Sequence, residues 1–131
     1  MTNAEFITSA FRLAGILAET DSLPAEYGVA GLQAMNDLFA EWDANSIDVG
    51  WFNQSDIQAD SPIFADAMLA ARYGLALLLC SEYGVQPKPI VASIAASSYG
   101  RILRDAMVAK QSAADMTHLP GVVEQTNIET G

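Results

Sequence analysis

The sequence predicts an all-α fold, organised as a four-helix bundle-like domain. Apolar residues recur at three- and four-residue spacing in four segments, and cap or turn signals separate these segments. Of the 131 residues, 51% are hydrophobic and 17% are charged, which is enough apolar material for one core. We therefore expect a single helical domain over residues 1–115, followed by an extended C-terminal tail over residues 116–131.

The first helix is predicted over residues 3–19. Thr2 and Glu5 form a capping box, in which each side chain bonds the backbone N–H of the other residue. Gly15 falls inside the predicted helix, and we interpret it as a point of close packing. The apolar stripe that follows the cap consists of Phe6, Ile7, Ala10, Phe11, Leu13, Ala14 and Leu17.

The second helix is predicted over residues 23–44. Pro24 stands at its start, where the missing N–H of proline has no helical partner to lose. Three acidic residues, Asp37, Glu41 and Asp43, are expected on its polar side. Its apolar stripe consists of Tyr27, Gly31, Ala34, Met35, Leu38, Phe39 and Trp42.

A short extended arm is predicted over residues 46–60, between the second and third helices. Ile47, Val49 and Trp51 alternate with polar residues or glycine, which is the periodicity of a strand or hairpin. Phe52 follows Trp51 directly, so in an extended chain the two side chains point in opposite directions. Either both aromatic residues fold under the loop, or one of them anchors a neighbouring chain.

The third helix is predicted over residues 62–83. Asp60 or Ser61 is expected to cap it, with Pro62 in its first turn and Gly84 as its C-terminal stop. An apolar face this broad predicts the central, buried helix of the domain. That face consists of Ile63, Phe64, Ala67, Met68, Ala71, Leu75, Leu78 and Leu79.

The fourth helix is predicted over residues 89–113, after which the periodicity is lost. The tail still contains apolar residues, which favours either simple disorder or docking on a partner. These tail residues are Leu119, Val122, Val123 and Ile128. The inner stripe of the helix consists of Ile90, Val91, Ile94, Ala95, Ser98, Ile102, Ala106 and Ala109.

The charge is strongly acidic and unevenly distributed. The formal net charge is -10, and no Lys or Arg occurs between Arg12 and Arg72. Such a surface repels phosphate, which argues against sequence-specific DNA binding. The acidic residues then either form a solvated outer face or have a role in assembly or DNA passage.

No catalytic, metal or cofactor site is predicted. Cys80 is the single cysteine and His118 the single histidine, which is too few for a zinc site or an intrachain disulfide. Cys80 lies in a buried-looking helix and is interpreted as an inert apolar residue. The longest apolar run, residues 73–80, is too short to span a membrane, and the N-terminus shows no secretory signal pattern.

Several segments occur in an order that resembles a known family, the head-to-tail adaptors of tailed phages. The likeness covers residues 4–110 and is closest to the tail accessory, or packaged-DNA-stabilising, proteins of short-tailed phages. The segments are Ala10-Phe11-Arg12-Leu13-Ala14-Gly15, then Leu32-Gln33-Ala34-Met35-Asn36-Asp37-Leu38 with Trp42, then Ala70-Ala71-Arg72-Tyr73-Gly74-Leu75-Ala76 with Glu82-Tyr83-Gly84.

This resemblance implies a structural virion protein, made in the cytoplasm of the bacterial host. Its copies would form a ring, commonly of twelve, between the portal protein and the downstream tail or nozzle protein. DNA would pass through the ring without sequence-specific contacts. Asp37, Glu41 and Asp43 would then face the channel, while Trp51, Phe52 and the apolar tail residues would contact partners.

Three other functions are compatible with the sequence. A non-viral helical protein–protein adaptor would share the fold. An acidic DNA mimic would bind a basic protein through the acidic stretch. A cell-wall hydrolase, suspected among some relatives of the adaptors, would need a carboxyl group with a shifted pKa in a cleft, and no residue here marks one.

Overall fold

The computed structural model describes the backbone of residues 1–117 and the side chains of residues 1–112. Four α-helices are present: α1 (Asn3–Leu13), α2 (Ala25–Ala44), α3 (Met68–Tyr83) and α4 (Pro89–Thr117). A single 3-10 turn at Ala65–Ala67 precedes α3. Within residues 1–117 there is no β-strand, which confirms the all-α prediction.

The third helix is the centre of the domain, as its apolar girth predicts. It packs against α1, α2 and α4, and Leu75 and Leu79 are completely buried. Leu78, although equally apolar, is only half-buried. Gly84 ends the helix in the left-handed conformation, with φ of 67°, which confirms the predicted stop.

The first two helices approach each other closely at Gly31. A side-chain carbon at this position would overlap Ile7 and meet the ring of Phe11 at 3.0 Å. Next to this contact, the ring of Phe11 stacks on Tyr27 with centroids 4.8 Å apart, and both rings meet the edge of Tyr83. Glycine at position 31 therefore allows an aromatic cluster to join α1, α2 and α3.

The N-terminus of α1 is capped partly by its own residues and partly by the arm. The side chains of Thr2 and Glu5 form the predicted capping box, with bonds of 3.1 and 2.8 Å. The N–H of Asn3 donates to the carbonyl of Ala59 at 2.9 Å, and the next N–H along the chain donates to another arm carbonyl at 2.8 Å. The first-turn N–H groups of α1 are thereby satisfied.

The first helix ends at Leu13, well before the predicted residue 19. Gly15 adopts a left-handed φ of 77°, and its N–H donates to the carbonyl of Arg12 at 3.0 Å. The N–H of Ile16 donates to the carbonyl of Phe11 at 3.1 Å, which completes a Schellman motif. A side-chain carbon at Gly15 would meet no atom within 4 Å, so the close-packing interpretation of this glycine is wrong.

The substitution Gly15→Ala is expected to lower the free energy of unfolding by about 1 kcal/mol, because an L-residue disfavours the left-handed region. Gly100→Ala is the matched control, since Gly100 lies inside α4 and a side-chain carbon there would come no closer than 3.6 Å to a neighbouring atom, in Arg104. That change should be neutral or stabilising by up to about 1 kcal/mol. Urea denaturation measures both, and equal effects would contradict the assignment of Gly15 as the helix stop.

The third helix begins later than predicted, because neither Asp60 nor Ser61 caps it and Pro62 lies outside it. The N–H of Ser61 donates to the carbonyl of the N-terminal residue at 2.9 Å. The N–H of Phe64 donates to the carbonyl of Val49, also at 2.9 Å. These long-range bonds hold the segment extended up to the 3-10 turn, where a local pattern of cap and proline predicted helix.

The fourth helix is longer than predicted and continues past both residue 113 and the expected domain boundary at residue 115. Val91 and Ile102 are buried against α3, but Ile90 and Ala109, predicted on the inner stripe, are exposed. For Ala109 the reason is length, since α4 has 29 residues and α3 only 16. The last turns of α4 therefore extend beyond the helix that covers its inner face.

Candidate interaction site

The arm lies against the core instead of projecting from it. Ile47 and Val49 are 2% and 3% exposed, while the residues between them and on either side face solvent or are half-buried. The predicted alternation is therefore present in the burial pattern, although no strand forms. Gly50 has a φ of 85°, and a side-chain carbon there would lie 2.7 Å from the carbonyl oxygen of Pro62. Only glycine fits this bend.

Three side-chain amides, which we call the amide clamp (Asn3, Asn36 and Gln54), hold the middle of the arm. The Asn36 Oδ1 accepts bonds from Trp51 Nε1 at 3.0 Å and from the backbone N–H of Gln54 at 2.9 Å. The Asn36 Nδ2 donates to the Gln54 carbonyl at 2.8 Å. From α1, the Asn3 Nδ2 donates to Gln54 Oε1 at 2.9 Å.

The amide clamp orients the two aromatic residues in opposite directions. Trp51 is half-buried, with its indole N–H bonded to Asn36, whereas the ring of Phe52 is 66% exposed. The carbonyl of Phe52 accepts a bond from Gln54 Nε2 at 2.9 Å, so the chain is held after the exposed ring by this bond and before it by the Trp51 side chain. The two aromatic residues therefore do not both fold under the loop, since Trp51 points inward and Phe52 outward.

The members of the amide clamp are not recognisable from the sequence. Asn3 and Gln54 are 51 residues apart, and polar amides next to a cap or in a loop are usually solvated. Their burial, 0% and 6% exposed, appears only once α1 and the arm are placed side by side. The apolar tail residues Leu119, Val122, Val123 and Ile128 lie outside the described residues, as does His118.

The three acidic residues singled out on α2 are all exposed, but they do not share one face. At roughly 100° per residue, Asp37 and Glu41 point in directions about 40° apart. Asp43 is displaced by about 200° from Glu41 and projects from the opposite flank of the helix. One surface can therefore include the Asp37–Glu41 pair or Asp43, but not all three.

The residues that could support chemistry are dispersed or buried. Every Asp and Glu side chain within residues 1–112 is exposed, and in that range no three potential metal ligands come together. Cys80 is buried, and desolvation raises the pKa of its thiol, which donates to the Ala14 carbonyl at 3.5 Å. No helix among the described residues is both long and apolar enough to cross a membrane.

Comparison with known proteins identifies the family. The family model described as P22 tail accessory factor matches residues 1–127, a range that includes the whole helical domain and the arm. The chain belongs to the P22 tail accessory factor family. The predicted resemblance is thus confirmed, and the chain is a structural accessory protein of a bacteriophage tail.

A more distant relative carries a different name. The peptidoglycan hydrolase gp27 of Acyrthosiphon pisum secondary endosymbiont phage 1 is 29% identical over 116 residues. The aligned region covers 82% of this chain and 71% of that protein. Tail accessory factors and a phage protein named as a hydrolase are therefore both similar in sequence to this chain.

Proposed function

We propose that this tail accessory factor is a head-to-tail adaptor. Copies of the chain, commonly twelve in the adaptors that it resembles, would form a ring between the portal protein and the downstream tail protein. The ring would retain packaged DNA and conduct it during ejection. Membership of the tail accessory factor family supports a place in the phage tail, and the geometry of the arm supports a docking role.

The observation that carries this proposal is the exposed ring of Phe52 on a rigid backbone. A large aromatic side chain that is 66% exposed leaves apolar surface in water. The amide clamp fixes the arm before any partner binds, so little conformational entropy remains to be lost on docking. Buried aromatic anchors of this kind dominate many protein interfaces.

The test is the substitution Phe52→Ala, measured by co-sedimentation of the full chain with purified portal rings. Removing a central anchor should weaken portal binding about tenfold or more, with an unchanged melting temperature because the ring is exposed. Leu69→Ala is the matched control, since Leu69 is also an exposed apolar residue, at 45%, but lies on α3. Equal binding by the parent and the Phe52 variant would contradict a docking role for the arm.

Two other variants probe the same proposal less directly. Trp51→Ala removes the bond to Asn36, so it disturbs the arm itself as well as any interface. Deletion of residues 118–131 tests the apolar tail without shortening α4. If the tail is a second contact, this deletion should weaken portal attachment while the helical circular dichroism signal stays the same.

The name of the relative raises peptidoglycan hydrolysis as a second candidate function. Glycoside hydrolysis uses a pair of carboxyl groups, one of which stays protonated in an apolar site. Within residues 1–112 each carboxylate is exposed and none lies in such a site. The described residues therefore favour the structural role over the hydrolytic one.

A further inference from the structure

The C-terminal part of α4 has an apolar surface that nothing in the described chain covers. All side chains from Met107 to Ser112 are exposed, and Met107 and Val108 are 63% and 62% exposed. The buried face of the helix ends with Ile102. A helix that continues past its own core with exposed apolar residues is typical of a segment that packs on another molecule.

These residues belong to a longer surface, the α4 outer face, which we define as Ile90, Arg104, Met107 and Val108. At about 100° per residue they all project away from the side that Val91 and Ile102 bury. Ile90, at the other end of the helix, is 64% exposed. The α4 outer face is thus apolar at both ends, with Arg104 between them. Arg101 lies near the same side of the helix but is paired with Asp105.

An apolar groove lies on a different side of the molecule, between α2 and the arm. We call it the α2 groove; its walls include Leu23, Val29, Leu32 and Ile57, and it encloses a volume of about 490 Å³. Val29 on its rim is 72% exposed. Gly28 also lines the groove, and a side-chain carbon there would lie 2.9 Å from Ile57 Cδ1, so glycine allows Ile57 to pack closely on α2.

The α2 groove is lined by uncharged residues, but the segments that form it are acidic, whereas α4 is basic. Residues 25–67, which comprise α2, the arm and the 3-10 turn, contain eight acidic residues and no Lys or Arg. Four of the six basic residues of the chain lie on α4 or just before it: Lys88, Arg101, Arg104 and Lys110. The only acidic residue of α4 within the described side chains, Asp105, is paired with Arg101 at 3.3 Å.

We propose that the α4 outer face of one copy docks in the α2 groove of the next copy. Apolar contact would come from Met107 and Val108, and Arg104 would approach the acidic surface that includes Glu26 and Asp56. The alternative pairing of α4 with α4 would bring the Arg104 side chains of two copies close together, and repulsion between these like charges disfavours it. Because the two surfaces differ, the contact is heterologous and repeats around a ring or along a filament.

This inference rests on the proposed function, because it names the contact between neighbouring subunits of the adaptor ring. It makes no use of Phe52, which the proposed function assigns to the portal. The ring and its lateral contact can therefore be tested separately. Attachment to the portal reports on the function, and cross-linking between two copies reports on this inference.

The experiment is site-directed cross-linking of the full chain. A Val29→Cys variant and a Val108→Cys variant are mixed and treated with a short bismaleimide, with and without portal rings. The native Cys80 is buried and should not react. We expect a cross-linked dimer that contains one copy of each variant. The matched control replaces Val108→Cys with Glu82→Cys, an exposed position on α3 outside both surfaces, and should give no dimer.

Each outcome decides the inference. A mixed dimer that forms in the presence of portal rings supports the inference. A mixed dimer that forms at high concentration without portal rings supports it too, even if portal binding fails. Rings that form on the portal without the mixed dimer overturn it and leave the proposed function intact. Cross-links between two Val108→Cys copies, or between Val108→Cys and the portal, also overturn it because they identify a different occupant.

A pair of matched variants tests the charge argument. Val108→Glu and Val108→Lys remove the same apolar side chain from an exposed position, so both should fold normally. Self-association at low salt should be about tenfold weaker for the Glu variant than for the Lys variant, because the new carboxylate meets an acidic surface. The difference should shrink at high salt. Equal association constants at low salt, measured by analytical ultracentrifugation, would contradict docking on the acidic side.

Discussion

Leu79→Asp is expected to unfold the domain. Leu79 is completely buried in α3, which packs against the other three helices, so the new carboxylate would lose its hydration. Removal of an unpaired charge from water costs several kcal/mol, which is comparable to the whole stability of a small domain, about 5–15 kcal/mol. Circular dichroism at 25 °C should show loss of the helical signal.

Leu78→Asp is the matched control for this substitution. The apolar face predicted from the sequence includes Leu78 and Leu79 alike, so sequence alone predicts that Leu78→Asp also unfolds the domain. In the structure Leu78 is half-buried, and an Asp carboxylate there would keep part of its hydration. We therefore expect the Leu78 variant to fold with a lower melting temperature. If Leu79→Asp melts at the temperature of the parent protein, the placement of α3 at the centre of the domain is wrong.

The difference between Leu78 and Leu79 shows what an apolar segment does and does not specify. Because α3 is apolar over most of its circumference, its sequence identifies it as the central helix. For the same reason, the sequence does not show which residues of α3 contact all three neighbouring helices, because an apolar periodicity is informative only where polar residues interrupt it. The ranking of neighbouring leucines depends on how α1, α2 and α4 are placed.

Several features set by adjacent residues were predictable, although the helix stop at Gly15 was missed, whereas the start of α3 depends on distant residues. The capping box at Thr2 and the stop at Gly84 involve only neighbours along the chain, and both are confirmed. The delayed start of α3 depends on the bond from Ser61 to the first residue of the chain. No local pattern near residue 62 contains that information.

The same division applies to the candidate interaction site. The adjacency of Trp51 and Phe52 in an alternating segment left two arrangements open: both rings folded under the loop, or one of them directed outward. Which of the two points outward follows from the bond between Trp51 and Asn36, and that bond depends on the arm lying across α2. The three members of the amide clamp come from three segments, so sequence alone cannot bring them together.

The acidic residues of α2 give the prediction with the largest expected functional effect. If the Asp37–Glu41 pair faces the channel of the proposed ring, like-charge repulsion keeps the DNA mobile as it passes. Changing both residues to Lys would replace repulsion by phosphate contacts in every subunit. DNA ejection from assembled particles should then slow about tenfold or more, with normal rings, because each contact releases counterions.

Asp43→Lys is the internal control, because Asp43 projects from the opposite flank of the same helix. A channel role for the Asp37–Glu41 pair predicts slow ejection in the pair variant and ordinary ejection in the Asp43 variant.

Two other roles of these acidic residues give different results. If the acidic residues bind basic groups of the portal or of the next tail protein, reversing their charge should prevent ring attachment. The effect should be strongest at low salt, where charge pairs are least screened. Acidic residues that only solvate the outer wall would affect neither property. Normal assembly together with parental ejection rates in the pair variant would rule out the channel role for Asp37 and Glu41. Slow ejection in the Asp43 variant alone would assign the channel to the other flank of α2.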